Sequence, residues 1–225
     1  MLNEEIKKSW KKNALEWIKV IEGGTIESRK FTNPAIVNCI LADRPKNVLD
    51  LGCGEGWLIR ELTRSGISCT GIDASAPLIE NAKKKGSQSF LNISYEEIIA
   101  DKMIPGNPFD AIIFNFSLFL KDETEILLKK LKKNLSPKGS LFIQTLHPAF
   151  LIRNSLPHKS QWIDDSWAGL EGNFKDPHHW YIRTFSDWSK VFNSCKFILE
   201  YIREPGNSEM QPASVIFKLK AIRSK

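Results

Sequence analysis

Little in this chain is organised around cysteine. Its four cysteines, Cys39, Cys53, Cys69 and Cys195, are scattered and form no C-x-x-C pair, which argues against a zinc site and a disulfide framework alike. Reduced thiols point to a cytoplasmic protein. Long apolar runs are scarce too. The best, residues 111–120, is broken by Asn115 and Ser117 and falls far short of a membrane span. The first residues, Met1-Leu2-Asn3-Glu4-Glu5, are acidic, unlike the basic and then apolar start of a secretory leader. No repeat, low-complexity tract or linker divides the 225 residues, so a single domain over 1–225 is expected.

Two nucleotide motifs are also missing. No G-x-x-x-x-G-K-[ST] occurs, which removes a P-loop. The G-x-G-x-x-G of dinucleotide enzymes fails at its third glycine, where Trp57 stands; that position packs the helix tightly on the strand and tolerates no bulk. The net charge of +6 raises the question of nucleic acid. Its lysines cluster at Lys7-Lys8, Lys11-Lys12, Lys83-Lys84-Lys85, Lys129-Lys130 and Lys132-Lys133, each on an expected amphipathic helix, where lysines ordinarily cover the solvated face. No stripe of arginines interleaved with aromatics appears.

What is present centres on residues 47–75. Val48-Leu49-Asp50-Leu51 has the length and composition of a buried parallel strand. Gly52, Gly54 and Gly56 follow at alternate positions, then Leu58, Ile59 and Leu62 at helical spacing, with Ser65-Gly66 as a stop. A second apolar run, residues 67–72, ends in Asp73. This is a βαβ unit with a nucleotide-sized site at its carboxyl edge. The helix aims unpaired N–H groups at that edge, and Asp73 falls where a carboxylate meets ribose hydroxyls. Asp50, two residues before the first glycine, would repel a pyrophosphate but suits an ammonium group.

The segment Asp50-Leu51-Gly52-Cys53-Gly54-Glu55-Gly56 resembles motif I of the class I S-adenosylmethionine-dependent methyltransferases, and Gly71-Ile72-Asp73-Ala74-Ser75 their acidic ribose-binding loop. Phe109-Asp110-Ala111-Ile112-Ile113 and Leu135-Ser136-Pro137-Lys138-Gly139-Ser140-Leu141 resemble the later strand and the turn before the next one. The likeness covers residues 48–145 in order and spacing. It implies an α/β, Rossmann-like, doubly wound sheet of seven strands, mostly parallel with an antiparallel C-terminal hairpin. It also implies S-adenosyl-L-methionine as methyl donor, S-adenosyl-L-homocysteine as product, and a helical N-terminal lid over residues 1–42. An aromatic insertion after the fifth strand, residues 146–183, would cover the acceptor. By the same resemblance Gly52, Cys53, Gly54 and Gly56 shape the cofactor turn, Asp50 faces the amino-acid moiety and Asp73 the ribose. Ala74, Ser94 and Tyr95 would meet the adenine, with Ser94-Tyr95 standing where the family has an acid. Phe116 and Ser117 would close the methionyl side, and Asn115 would touch cofactor or substrate.

Elsewhere, residues 3–22 read as an amphipathic helix with Ile6, Trp10, Trp17 and Ile21 near one face and Gly23-Gly24 as its stop. Trp10 and Trp17 are expected to pack that helix onto the body; alternatively Asn13, Trp17 and Arg29 line the cleft beneath the lid. Arg29, after the turn, is a candidate for the methionyl carboxylate, and Trp17 for the acceptor. Asn33-Pro34 predicts a helix start with Asn33 as cap. Asn115, if not a ligand contact, would cap the helix expected near Asp122. Residues 115–118 contain none of the prolines of base-amino methyltransferases, and no Pro-Cys of the cytosine enzymes occurs. Both absences disfavour nucleic acid.

From Leu146 to Tyr181 the composition turns aromatic, with all four histidines and Trp162, Trp167 and Trp180. So long a loop in a compact domain is a functional one as a rule. His147, His178 and His179 are candidate general bases. Adjacent His178 and His179 point different ways, and no further ligands accompany them, so no metal is expected. Tyr181 and Arg183 are candidates for the acceptor, Arg183 for an acidic one. The expected activity is methyl transfer to an oxygen, nitrogen or carbon of a small molecule. Two alternatives stand beside it: methylation of RNA or protein, and a module that binds the donor without catalysis.

Overall fold

In the computed structural model, residues 2–209 and 211–223 are described; Met1 of the acidic start lies outside them. The chain runs α1 (Leu2–Gly23), α2 (Arg29–Ala42), β1 (Asn47–Leu51), α3 (Trp57–Arg64), β2 (Ser68–Asp73), α4 (Ala76–Lys85), β3 (Ser89–Asn92), α5 (Tyr95–Ile99) and β4 (Phe109–Asn115). It continues through α6 (Asp122–Leu131), a short 3-10 turn at Lys132–Asn134, β5 (Leu135–Leu146), α7 (Ala149–Arg153), β6 (Gln161–Ile163) and β7 (Trp180–Ile182). It closes with α8 (Phe185–Ser194), β8 (Phe197–Arg203) and β9 (Ser214–Ala221). Seven strands form one sheet in the order β3-β2-β1-β4-β5-β9-β8. All its neighbours are parallel except the pairs β5–β9 and β9–β8. This is the expected doubly wound sheet with its antiparallel end.

Period two along β1 decides what reaches the site. Val48 points into the core beneath α2 and α3, and Leu49 and Leu51 into the core on the other face, beneath α6 and α8. Asp50 therefore shares the face of Val48, at the strand's carboxyl end. In α3, Leu58, Ile59 and Leu62 are fully buried, each side chain contributing about 1.5–3 kcal/mol. The helix stops where the N–H groups of Ser65 and Gly66 donate to the carbonyls of Leu62 and Thr63. Strand order reverses between β1 and β4, so a crevice opens at their carboxyl ends, the place where open α/β sheets take ligands.

Three local expectations are corrected, and residues 94–95 gain a definite place. The helix expected from Asn33 starts at Arg29, with Ser28 at its cap position and Pro34 in its interior. Pro34 is the sixth residue of the helix and lacks the N–H that would bond back to the Lys30 carbonyl, and the earlier start puts Arg29 on the helix. Residues 94–95 lie at a helix start: Ser94 caps α5, accepting the Glu97 N–H at 3.3 Å, while a Glu97 carboxylate oxygen accepts the Ser94 N–H at 2.7 Å. The turn at residues 136–139 is absorbed in β5 as an irregularity, since Leu135 pairs with Phe109 and Ser140 with Ala111. The insertion, expected as one long loop, contains the antiparallel pair β6–β7, whose three residues each are too few to leave a pattern.

Candidate functional site

The turn after β1 is held from below. Gly52, Gly54 and Gly56 all take positive φ, at 73°, 57° and 82°, a region that L side chains rarely enter. The N–H groups of Gly52 and Cys53 both donate to the Ile72 carbonyl, at 2.8 and 3.0 Å. Asp73 fixes the top: its carboxylate accepts the Gly54 N–H at 2.8 Å and the Ser75 N–H at 2.7 Å. The glycines then divide by task. A Cβ on Gly52 would lie 2.4 Å from that of Ser117, and one on Gly56 2.7 Å from the Phe90 ring, whereas one on Gly54 would meet nothing closer than the Trp17 indole at 3.8 Å. Gly52 and Gly56 are glycines for packing. Gly54 faces open space.

That space is a cavity of about 330 Å³ reached by the ends of β1, β2 and β4. Asp50, Gly52, Cys53, Gly54, Asp73 and Ala74 line it on the sheet side, with Asn115, Phe116 and Ser117 from the end of β4. Arg29 and Trp17 come from α2 and α1. Residues left aside on sequence grounds line it too: Thr32 from α2, Trp57 at the start of α3 and Phe119 from the loop after β4. Trp57 had served only to exclude a dinucleotide; here its ring lies 5.6 Å from the Arg29 guanidinium, and that of Trp17 5.2 Å. The signal for this arrangement was weak, two aromatics and one arginine far apart in sequence.

Charge in the cavity is unbalanced in a specific way. Asp50 is buried, one of its carboxylate oxygens has no hydrogen-bond partner among the described residues, and burial, aided by the nearby Asp73, pushes its carboxyl up to about 8. Burial raises Asp73 as well, against its two N–H donors. Arg29 pairs with no carboxylate among the described residues, and burial lowers its guanidinium to about 10 against the attraction of Glu55. The Asn115 carbonyl oxygen is likewise buried and unpartnered. Acceptors without donors stand near a cation without an anion. Phe116 takes φ 52°, strained for a residue with a side chain, and its N–H donates to Gln144 at 2.8 Å.

Several expected site residues lie elsewhere. Ser94 is outside the cavity, its hydroxyl spent on capping α5. Tyr95 does line it, but its hydroxyl donates beneath the turn, 3.2 Å from the Leu51 carbonyl and 3.3 Å from that of Ser117. The Ser117 hydroxyl also donates to Leu51, at 2.6 Å. Gly56 packs on Phe90. Asn13 does not line the cavity but joins α1 to the insertion, donating to the Lys175 carbonyl at 2.6 Å and accepting the Lys175 N–H at 2.8 Å. Asn115 caps no helix, since α6 begins at Asp122 after Lys121.

The three histidines separate cleanly. His147 lies outside the cavity, its Nε2 2.7 Å from Glu204 and its Nδ1 accepting the Ala149 N–H. His179 also lies outside, between Glu5 and Asp164. Only His178 lines the cavity, among Trp10, Phe119 and Trp167. Tyr181 and Arg183 do not reach it. Arg183 is buried against the Tyr181 and Trp188 rings, donating to the carbonyls of Leu120 at 3.0 Å and Lys121 at 2.6 Å; it braces the loop after β4 and is no anchor for an acidic acceptor. Among the described residues no three His, Cys, Asp or Glu side chains converge as a metal-ligand set.

This geometry agrees with comparisons to known proteins. A family model described as a methyltransferase domain matches residues 29–194. An uncharacterized methyltransferase of Mycobacterium tuberculosis is 30% identical over 116 residues, which are 52% of this chain and 58% of that one. The ubiquinone biosynthesis O-methyltransferase of Bartonella bacilliformis is 35% identical over 101 residues, 44% of this chain and 41% of its own. The chain thus spans about half the length of the curated relatives it matches. Among solved structures, an S-adenosylmethionine-dependent methyltransferase from Mesorhizobium loti has a TM-score of 0.60 at 19% identity, covering 81% of this chain and 95% of that one. The 1,6-didemethyltoxoflavin-N1-methyltransferase of Burkholderia thailandensis, with bound 1,6-didemethyltoxoflavin and S-adenosylhomocysteine, reaches 0.67 at 13% identity, over 99% and 92% of the two chains. With a family match over most of its length and the sheet order to go with it, the chain belongs to the methyltransferase-domain family and has the fold of the S-adenosylmethionine-dependent methyltransferases.

Proposed function

We propose that this protein transfers the methyl group of S-adenosylmethionine to a small molecule bound beneath α1 and the insertion. The observation that carries the reading is the pairing of an unpartnered Asp50 oxygen with an unpaired Arg29 beside the open side of Gly54. A zwitterionic amino-acid group, with its ammonium toward Asp50 and its carboxylate toward Arg29, satisfies both at once. Asp73, already oriented by Gly54 and Ser75, keeps acceptor capacity for ribose hydroxyls. Ala74 lines the cavity next to it, on the side proposed for the adenine.

When bound, the donor supplies an already activated methyl on a sulfonium sulfur. The chain's own task is then to align the acceptor, exclude water and take up a proton where the acceptor has one to lose. Residues 1–42 act in this reading as a lid, and residues 146–183 as a cap over the acceptor. Relatives named as O-methyltransferases and a structural neighbour named as an N-methyltransferase support a small acceptor. So does the surface: Lys129 pairs with Glu125, and Lys130 and Lys133 with Asp101, so these lysines are engaged within the protein rather than presented to a polyanion.

Titration calorimetry with S-adenosylhomocysteine tests the reading, with NAD as control. Saturable binding is expected, lost in Asp73→Ala, with none for NAD. Binding of NAD in place of the homocysteine product overturns it.

A further inference from the structure

The cavity continues away from the glycine turn into a compartment walled by Trp10, Phe119, Trp167 and Trp180, with His178 among them. The centroid of the His178 ring is 4.8 Å from that of Phe119, 5.4 Å from that of Trp167 and 5.9 Å from that of Trp10. Two polar atoms in this wall are buried without a hydrogen-bond partner among the described residues: Nε2 of His178 and Nε1 of Trp10. Both are costly to leave unpaired, at about 1–3 kcal/mol each, and they differ in kind.

The kind follows from the partners already made. His178 Nδ1 lies 3.0 Å from the His179 carbonyl. A carbonyl only accepts, so Nδ1 carries the hydrogen and Nε2 presents a lone pair. The backbone that carries the ring is pinned as well: the His178 N–H donates to the Ser166 hydroxyl and the Ser166 N–H to the His178 carbonyl, each at 3.2 Å. The Trp10 indole can only donate. The compartment therefore offers a flat apolar box with one acceptor and one donor.

Resting on the reading above, we propose that the acceptor is a flat aryl or quinonoid compound carrying an ionisable hydroxyl beside a second oxygen, with His178 as the base that takes the hydroxyl proton. The aromatic walls take the ring, Nε2 takes the hydroxyl hydrogen, and the Trp10 N–H binds the neighbouring oxygen. In the step itself the hydroxyl oxygen forms the new C–O bond while the bond from methyl to sulfur breaks, its electron pair returning to sulfur. The O–H proton passes to His178 Nε2, so one positive charge moves from sulfonium to imidazolium and none is created. Burial lowers His178 to about 4, with His179 alongside and Asp165 lining the same cavity. That keeps the ring neutral and ready at physiological pH. Its weak basicity suffices because an oxygen that is gaining a methyl becomes a strong acid as the bond forms. The Phe119, Trp10 and Trp167 rings then surround the imidazolium. His147 and His179, placed outside the cavity, take no part.

The test uses 4-nitrocatechol, a flat aryl diol whose absorbance reports its ionisation, and S-adenosylhomocysteine. Wild-type protein is expected to bind the catechol with quenching of its tryptophan fluorescence, and to methylate it when given the donor. His178→Gln keeps a polar side chain of similar reach but cannot take a proton; it is expected to lower turnover by about a hundredfold or more, with affinity for S-adenosylhomocysteine unchanged. Trp10→Phe keeps an aromatic side chain, though a smaller one, and removes the N–H; catechol affinity should fall by about two- to tenfold. Turnover in His178→Gln within about threefold of wild type overturns the role of the histidine. Protein that binds S-adenosylhomocysteine yet neither binds nor methylates the catechol or 2-hydroxy-1,4-naphthoquinone overturns the acceptor class. Binding of the catechol without any binding of S-adenosylhomocysteine would instead overturn the methyl-donor reading and leave the compartment as inferred.

Discussion

The turn after β1 and the cover above it enclose the same cavity by different physics. The turn is a backbone device: its shape comes from three positive φ angles, and its bonds run to carbonyls and to one carboxylate within about 25 residues. The cover is a side-chain device. Trp10 meets Trp17 at 5.1 Å and Trp167 at 4.8 Å, and Trp167 stacks on Phe174 at 4.6 Å. The Trp167 indole N–H donates to Ser9 at 3.1 Å, a contact across 158 positions. A device made from backbone conformation leaves glycines at fixed spacing. One made from distant aromatics does not.

The largest expected effect comes from breaking the turn. Gly52→Val places a branched Cβ where the Ser117 Cβ already stands, at a φ that such a residue avoids. A loss of several kcal/mol is expected, about 3 or more, read as a fall in thermal midpoint, with no measurable binding of S-adenosylhomocysteine. A variant that melts and binds like wild type would mean that the turn is far softer than its bonds indicate.

Next in size is the charge beneath the turn. With its carboxyl raised to about 8, Asp50 holds a proton at neutral pH in the ligand-free protein. The unfolded chain releases that proton near about 3.9. Ligand-free stability from this group is therefore full below that value and is lost as pH rises towards 8. An ammonium beside Asp50 favours the ionised form, so binding should release close to one proton at pH 7 and fewer as pH passes 8. Calorimetry in two buffers of different ionisation enthalpy measures this. Asp50→Asn should abolish the release, weaken S-adenosylhomocysteine by about ten- to a hundredfold, and flatten the pH dependence of stability. Unchanged proton release would mean that the ammonium sits elsewhere.

The same contrast explains what the sequence disclosed. The βαβ unit, the glycine turn, Asp50 and Asp73 were legible because each depends on a local rule: period two in a buried strand, positive φ at glycine, an acid after the second strand; the full sheet followed from the family resemblance. Arg29 was legible as a charge but not as a helical residue, since Pro34 imitated a helix start five positions late. Tyr181, Arg183, His147 and His179 were chosen for their chemistry alone, and nothing local in sequence says which side of a loop a side chain takes. His178 was inseparable from His179 in sequence; in the fold the backbone of His178 is tied to Ser166 and its ring lies among Trp10, Phe119 and Trp167. Asn13 read as polar lining because its partner, the Lys175 backbone, lies 162 residues away.

That latch gives the third test. Asn13→Ala removes both bonds to Lys175 and leaves its backbone groups to find other partners. About 1–3 kcal/mol is expected to be lost, chiefly from the attachment of α1 to the insertion. The turn should not feel it. Hydrogen exchange should therefore speed up in residues 9–20 and 165–178 while β1 and β2 stay protected, and S-adenosylhomocysteine should dissociate faster. Equal acceleration in the strands would show that cover and turn are one cooperative unit.

The smallest effect separates two readings of one residue. Placed by resemblance, Ser94 touches the adenine; placed by the fold, its hydroxyl caps α5 and its N–H is held by Glu97. Both readings expect Ser94→Ala to do harm, but in different measurements. Loss of a cap costs about 1 kcal/mol of stability and leaves the affinity for S-adenosylhomocysteine within about twofold, because no atom of Ser94 lines the cavity. Loss of a ligand contact weakens affinity by about two- to tenfold while a capped helix stays as stable as before. Tyr95→Phe serves as the companion measurement. Its hydroxyl donates to Leu51, beneath the turn, so its removal should lower both stability and affinity together. A Ser94→Ala variant that follows the Tyr95→Phe pattern would move α5 from the scaffold into the ligand's own shell, and the boundary drawn here between backbone device and side-chain device would shift with it.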